Sequence, residues 1–235
     1  MCGRMALTRP ELIDWSQFGV LEAPELPPRY NITPGTDVIT IRERAGKRVA
    51  EPTHWGLIPS FATDKSIGNR MANARSDSAF EKPAFRRAIM ARRCLIPVDA
   101  FYEWQVIPGA RAKQPWAVRL QGGMPFTLGG IWEYWRPSES EPGVVSFAVL
   151  TTDPNNTLAS IHDRMPVIVP PNGWRAWLSA DTPAPKVKDL MRSYPSEEIE
   201  AWRVSQMVNS ADNDSAAVLE PVETGTTQKQ RDLFG

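Results

Sequence analysis

The stretch Cys94-Leu95-Ile96-Pro97-Val98-Asp99-Ala100-Phe101-Tyr102-Glu103-Trp104-Gln105-Val106 contains two short apolar runs on either side of Asp99-Ala100. Runs of this length that are rich in β-branched and aromatic side chains are typical of β-strands. Further runs of the same kind follow at 116–120, 126–134 and 144–151. We therefore predict that consecutive strands, including 94–98 and 101–106, form the centre of the fold.

The helical patterns are short and lie between the strands. Thr8-Arg9-Pro10-Glu11 predicts a capping box that opens a helix through about Phe18. Residues 77–93 predict a helix that Pro83 interrupts. Shorter helices are predicted at 155–161, 172–178 and 186–192, a hairpin at 37–42 and 47–52 around Ala45-Gly46, and a further strand at 165–169. This mixture predicts an α+β fold, a single domain over residues 1–222 with a barrel-like or two-sheet β core flanked by helices. A polar, flexible tail is expected at 223–235.

Composition excludes several classes of protein. The sequence lacks an apolar run of about 18 residues and a signal-peptide pattern, so we expect a cytoplasmic protein without a membrane span. Its two cysteines do not make a disulfide framework, and its two histidines lack the spacing of a zinc site, so no metal and no cofactor are predicted. A net charge of zero argues against non-specific binding of nucleic acid. We expect a monomer.

The sequence begins Met1-Cys2-Gly3-Arg4. Methionine aminopeptidase removes an initiator methionine when the next side chain is small, as that of Cys2 is. Cys2 would then carry both a free α-amine and a thiol, whose ordinary pKa values are about 7.7–8.0 and about 8.5. Such a 1,2-aminothiol traps aldehydes: the amine forms an imine, and the thiol closes on the imine carbon to give a thiazolidine.

Three further segments are candidates for chemistry: Asn73-Ala74-Arg75-Ser76, Phe101-Tyr102-Glu103-Trp104 and Ile161-His162-Asp163-Arg164-Met165-Pro166. Strand alternation places Glu103 on the same face as Phe101, where burial would raise the pKa of the carboxyl group and suit it to acid–base catalysis. His162 titrates near neutral pH and also suits proton transfer. The alternatives remain open: Glu103 on a half-open sheet, a surface histidine, and a solvated turn at residues 73–76.

Together with Cys2-Gly3-Arg4, Arg29-Tyr30-Asn31 with Pro34, Trp55-Gly56-Leu57-Ile58-Pro59 and Val208-Asn209, these three segments resemble the SOS-response-associated peptidase (SRAP) family. Members of that family sense abasic sites in single-stranded DNA. The seven ordered motifs cover the chain from Cys2 to about Val222. The resemblance implies the SRAP fold, single-stranded DNA with an abasic site as the partner, and a covalent link that shields the lesion at replication forks.

The resemblance also implies roles for individual residues. Cys2 attacks the ring-opened deoxyribose aldehyde, Asn73 orients the amine and the sugar, and Glu103 is the acid and base of imine formation. His162 moves protons when the sugar opens and when the link reverses. The implied DNA-binding residues are the phosphate ligands Arg4 and Arg75 and, packed beside the lesion, Pro34, Phe61 and Trp104. Two positions depart from the family pattern: Ala62 replaces a second aromatic residue after Phe61, and Ala100 replaces a glycine.

The end of the chain carries a separate hypothesis. Gln230-Arg231-Asp232-Leu233-Phe234 looks like the short peptide by which bacterial repair proteins bind the sliding clamp, with Leu233 and Phe234 filling a groove and Gln230 hydrogen-bonding at its rim. Such a tail has no evident folding reason to end in Leu-Phe.

Two other functions remain open at this point. One is an amidohydrolase or peptidase whose nucleophile is an N-terminal cysteine, and the other is a non-catalytic DNA-binding module. Cleavage of DNA by β-elimination and self-catalysed removal of Met1 are also left open.

Overall fold

Five strands close into a β-barrel in the computed structural model, which describes residues 2–222. A second, five-stranded sheet and several short helices surround this barrel. The strands among these residues are β1 Met5–Leu7, β2 Arg29–Ile32, β3 Asp37–Arg44, β4 Lys47–Trp55, β5 Asn73–Arg75, β6 Arg93–Val98, β7 Ala100–Gln105, β8 Gln114–Leu120, β9 Phe126–Trp135, β10 Val144–Thr152, β11 Met165–Pro166 and β12 Ile199–Arg203. The α-helices are α1 Arg86–Ala91, α2 Asn156–Ala159, α3 Trp174–Leu178 and α4 Ala184–Asp189. The prediction of an α+β fold with a barrel-like or two-sheet core is confirmed.

The barrel closes because β10 pairs with strands on both of its edges. Its order is β4-β3-β6-β9-β10, and β10 then pairs parallel with β4 at Ser146 and His54. The short strands β5 and β11 also pair with β10 near its end. The wall is dense: a Cβ atom added at Gly129 would lie 2.9 Å from the ring of Trp177, so this position accepts only glycine without rearrangement.

The second sheet has the order β12-β8-β7-β1-β2, and β7 lies at its centre. Phe101 on β7 packs into the main core, whereas Tyr102 joins a smaller apolar cluster on the opposite face. The predicted alternation along this strand is therefore confirmed, and it directs Glu103 toward the main core. Because both faces of β7 are covered at this point, Glu103 lies in a region with little water.

The predicted capping box at Thr8 is wrong. The amide and hydroxyl of Thr8 both donate to Asp99, so its side chain does not cap a helix. Two short 3-10 turns occupy this region, Pro10–Leu12 and Trp15–Phe18, and Asp14 caps the second. The side chain of Thr8 therefore makes a long-range hydrogen bond to Asp99 instead of the predicted local bond to a helix amide.

Other boundaries also differ from prediction. The helix predicted at 77–93 is restricted to α1, after Pro83, and Arg93 begins β6. The strand predicted at 165–169 consists of only two residues, and β12 was not predicted. The hairpin of β3 and β4 is confirmed, with its turn at Ala45 (φ 51°) and Gly46 (φ 74°).

No helix within residues 2–222 is both long and apolar enough to cross a membrane. The tail at 223–235, with the predicted clamp-binding residues Gln230, Leu233 and Phe234, lies outside the described residues.

Candidate active site

The segment before β1 places Cys2 beside β7. Met5 pairs with Phe101, and the Tyr102 amide donates to the Arg4 carbonyl at 3.0 Å, so the chain runs antiparallel to β7 toward Glu103. Cys2 is fully buried, and its thiol lies 3.9 Å from the carbonyl oxygen of Arg4. Burial raises the pKa of this thiol, and the negative charge of Glu103 raises it further. The thiol is therefore protonated at neutral pH.

Glu103 is only 1% exposed on the inner face of β7. Burial raises the pKa of its carboxyl group to about 7, because the charged form loses its hydration. A group with this pKa is protonated about half of the time at neutral pH. Glu103 can therefore donate a proton in one step and accept one in the next.

His162 lies in the loop between α2 and β11 and faces Glu103. Its Nε2 atom is 3.9 Å from Glu103 Oε2. Its Nδ1 atom accepts a hydrogen bond from the Arg164 amide at 3.0 Å and lies 2.8 Å from an Asp163 carboxylate oxygen. The donor from the Arg164 amide favours a neutral ring, in which Nδ1 accepts and Nε2 carries the proton. The Asp163 carboxylate instead favours the charged ring, in which Nδ1 also carries a proton. Burial lowers the pKa of His162, so the neutral form with Nε2–H toward Glu103 dominates at neutral pH.

Asn73 begins β5, which pairs parallel with β10 at Val149. The side-chain oxygen of Asn73 is buried, and no donor among the described residues reaches it. A buried amide oxygen without a donor costs free energy, roughly 1–3 kcal/mol. Asn73 thus offers an acceptor to a substrate amine or hydroxyl.

Arg164 fixes the end of the His162 loop that leads into β11. It was not predicted as a site residue. Its side chain is buried, donates to the Thr151 carbonyl at 2.6 Å and pairs with Asp153 at 2.6 Å. Thr151 on β10 also pairs with Arg75 on β5 and with Pro166 on β11. The end of β10 therefore brings residues 73–75 and 162–166 together.

The two predicted phosphate ligands both have protein partners. Arg4 donates to Asn31 Oδ1 and to the Val208 carbonyl, each at 2.7 Å, which ties the segment before β1 to the segment near residue 208. Arg75 is half exposed and forms an ion pair with Asp77 at 2.7 Å. A phosphate group would have to share or displace these partners.

The residues predicted to pack beside the lesion differ in exposure. Phe61 is 63% exposed in a surface loop, whereas Pro34 and Trp104 are half-buried. The indole of Trp104 donates to Asn209 at 2.8 Å. Ala100 has an ordinary backbone conformation, because within residues 2–222 Ala45 is the only non-glycine residue with a positive φ. The departure from glycine at position 100 therefore causes no backbone strain.

The rim of the site is charged asymmetrically. Asp77, Asp153 and Asp163 are exposed on the side of β5 and the His162 loop. The β7–β8 hairpin tip, residues 106–113, instead carries Arg111 and Lys113 without an acidic residue. Within the described part of the chain, no three His, Cys, Asp or Glu side chains converge to hold a metal ion.

Three comparisons place the chain among known proteins. Residues 1–211 match the family model described as SOS response associated peptidase (SRAP). The chain is 35% identical over 226 residues to abasic site processing protein YoaM of Bacillus subtilis (strain 168), covering 94% of this chain and 98% of the relative. It is 26% identical over 230 residues to abasic site processing protein YedK of Escherichia coli (strain K12), covering 94% and 100% of the two chains. A solved structure of a protein from Bacteroides thetaiotaomicron has the same fold, with a TM-score of 0.80 at 21% identity over 94% of this chain and 99% of that one.

Proposed function

The chain belongs to the SOS response associated peptidase family, and on this premise we propose that it recognises abasic sites in DNA and links to them covalently through Cys2. One observation carries the proposal: a carboxyl group with a pKa of about 7, that of Glu103, is buried beside a cysteine at the start of the chain and faces a histidine at 3.9 Å. The names of the relatives above, which are abasic site processing proteins, supply the substrate.

The chemistry begins after Met1 is removed. The free amine of Cys2 adds to the C1′ aldehyde of the ring-opened sugar, forming a C–N bond and a carbinolamine. Protonated Glu103 gives its proton to the carbinolamine hydroxyl, water leaves, and an iminium ion forms. The Cys2 sulfur then bonds to the same carbon, the C=N electrons return to nitrogen, and the thiol proton passes back to Glu103. The product is a thiazolidine, and the overall loss is one water.

The geometry suits each of these proton transfers. A pKa near 7 makes Glu103 both an adequate acid and an adequate base at neutral pH. The neutral ring of His162 presents Nε2–H toward the same place, where it assists opening of the sugar ring and reversal of the link. The free oxygen of Asn73 holds the amine or the sugar hydroxyl in attack geometry.

The neutral state of the Cys2 thiol favours this reaction over peptide hydrolysis. A cysteine peptidase attacks with a thiolate, and its active site lowers the pKa of the thiol. In this protein burial raises that pKa. Imine formation instead begins with the amine and needs the thiol only afterwards, when the carboxylate of Glu103 accepts its proton.

Intact-protein mass spectrometry tests the proposal. The protein is mixed with single-stranded DNA that contains one abasic site, and the expected adduct has the mass of the protein without Met1 plus the DNA minus one water. Cys2→Ala forms no such adduct. A wild-type preparation that lacks Met1 and still forms no adduct overturns the proposal. Hydrolysis of peptide or glutamine substrates by that preparation would then support the amidohydrolase alternative.

The same reaction tests for strand cleavage. An iminium ion acidifies the neighbouring C–H, so loss of that proton would expel the 3′ phosphate by β-elimination. We propose that closure to the thiazolidine outruns this elimination. Intact DNA within the adduct, measured on a denaturing gel, is the expected result, and scission that depends on Cys2 would show lyase activity instead.

A further inference from the structure

Gln105 lies on β7 two residues after Glu103, and both side chains belong to the same face of the strand. Its side-chain amide makes two hydrogen bonds. Nε2 donates to the Ser160 carbonyl at 2.8 Å, and Oε1 accepts from the Trp116 indole at 3.0 Å. Gln105 therefore joins the central sheet to the end of α2.

These two partners determine which way the amide faces. The indole N–H of Trp116 is only a donor, and the carbonyl of Ser160 is only an acceptor. The amide oxygen must face the first and the amide nitrogen the second, so a flipped amide would lose both bonds. A glutamate at position 105 could still accept from Trp116 but could not donate to Ser160.

The bond to Ser160 is made at the start of the loop that carries His162. Ser160 immediately follows α2 and precedes His162 by two residues. The loop is thus fastened at one end to β7 by Gln105 and at the other end to Thr151 by Arg164. Glu103 also lies on β7. The bond from Gln105 to Ser160 therefore links the strand that carries Glu103 to the loop that carries His162, and the two side chains approach to 3.9 Å.

We propose that Gln105 is a positioning residue for the reaction: it holds the His162 ring against Glu103 through the Ser160 carbonyl. The kinetic part of this proposal rests on the proposed function, whereas its structural part does not. Gln105 itself does not contact the reacting atoms.

A first test needs no DNA. The chain contains only His54 and His162, so two imidazole signals are followed by NMR as a function of pH and assigned with His54→Asn. In Gln105→Leu, the released loop exposes the ring, and the pKa of His162 is expected to rise from its lowered value. The matched control is Gln114→Leu, because Gln114 also ties a strand to a carbonyl, that of Val204, outside the His162 loop. A His162 pKa that responds no more to Gln105→Leu than to Gln114→Leu overturns the proposal.

A second test is kinetic and uses a double-mutant cycle. Gln105→Leu is expected to slow formation of the adduct about 3- to 10-fold, which lies in the lower part of the range of coupling between neighbouring residues. In the His162→Ala background the same substitution is expected to have no further effect, because its influence passes through His162. Gln105→Glu is expected to behave as Gln105→Leu does. Equal slowing in both backgrounds would show that Gln105 has only a general structural role.

Together the two tests distinguish failure of the proposed function from failure of the proposed role of Gln105. Absence of any adduct with the wild-type protein would contradict the proposed function, and the NMR titration would still decide the role of Gln105. A normal adduct with an unresponsive His162 would contradict only the role of Gln105.

Discussion

Two regions of this protein each combine a buried cysteine with a buried glutamate, and they differ in the charge that meets the carboxylate. In the barrel wall, Cys94 is fully buried and Glu133 pairs with Arg92 at 2.7 Å. In the candidate site, Cys2 is equally buried, but Glu103 faces the titratable ring of His162 at 3.9 Å. A guanidinium does not exchange protons near neutral pH, whereas an imidazole and a carboxyl group can exchange a proton. In the proposed mechanism, burial of the same residue types thus serves stability in one region and chemistry in the other.

The largest expected effect is the difference in adduct yield between substitutions of the two cysteines. Cys2→Ser is expected to reduce the yield of stable adduct at least about 100-fold, because serine cannot close the thiazolidine. Cys94→Ser is expected to keep the yield and lower the free energy of unfolding by about 1–3 kcal/mol, since it buries a hydroxyl in the barrel wall. Gel shift of the denatured complex and urea unfolding measure the two quantities. Loss of the adduct in a folded Cys94→Ser protein would contradict the assignment of the reaction to Cys2 alone.

Substitutions of the two glutamates are also expected to differ in their effect on adduct formation, and this difference is smaller than that between the two cysteines. Glu103→Gln keeps the shape of the side chain but cannot transfer a proton, so adduct formation is expected to slow about 10²- to 10⁴-fold. Glu133→Gln is expected to leave the rate unchanged and to cost about 1–2 kcal/mol of stability, because the largely buried guanidinium of Arg92 loses its ionic partner. Single-turnover rates provide the comparison. Similar rates for wild type and Glu103→Gln would remove Glu103 from the mechanism.

The pH dependence of stability gives an independent view of Glu103. Burial raises the pKa of Glu103 from 4.5 to about 7, so the folded state holds this proton more tightly than the unfolded state. Between these values the folded protein binds more protons, and its stability therefore falls as pH rises through the window. We expect the unfolding free energy of wild type, relative to Glu103→Gln, to decrease from pH 4.5 to pH 7 and then to level off. A flat difference would show that folding does not raise the pKa of Glu103.

The smallest expected effect compares two hairpins. Lys113, at the β7–β8 tip, contributes a positive charge felt by both Glu103 and His162, although burial is the larger influence on each pKa. Replacing Arg111 and Lys113 by glutamate is expected to weaken binding of single-stranded DNA and to reduce the slope of log K against log salt by about 0.7 per lost phosphate contact.

The matched control for this pair is Arg44 and Lys47, which flank the β3–β4 turn on the barrel. Their replacement by glutamate is expected to leave the salt slope unchanged. Equal changes for both pairs would indicate an effect of net charge alone rather than a contact at the β7–β8 tip.

The strands of this fold could be predicted because their apolar runs and alternation are local properties of the sequence. The early helix could not be predicted in the same way, since the hydroxyl of Thr8 binds Asp99, a residue 91 positions away. The same limit applies to the site. Cys2, Glu103 and His162 carry recognisable chemistry, whereas Gln105 and Arg164 matter through carbonyl groups that only the folded chain brings to them.

The predicted roles of the two arginines remain predictions. Arg4 is engaged by Asn31 and by the Val208 carbonyl, and Arg75 by Asp77. The partners of Arg4 lie 27 and 204 positions away and could not be read from the sequence, whereas Asp77 is only two positions from Arg75.

The central claim is that one carbon of the lesion bonds to both the nitrogen and the sulfur of Cys2. NMR of the adduct formed with DNA labelled with ¹³C at C1′ tests it directly. The account predicts a single tetrahedral C1′ resonance coupled to a ¹⁵N-labelled Cys2 amine, with a chemical shift typical of a carbon bound to nitrogen and sulfur. A trigonal imine carbon, or a tetrahedral carbon without the nitrogen coupling, would contradict it.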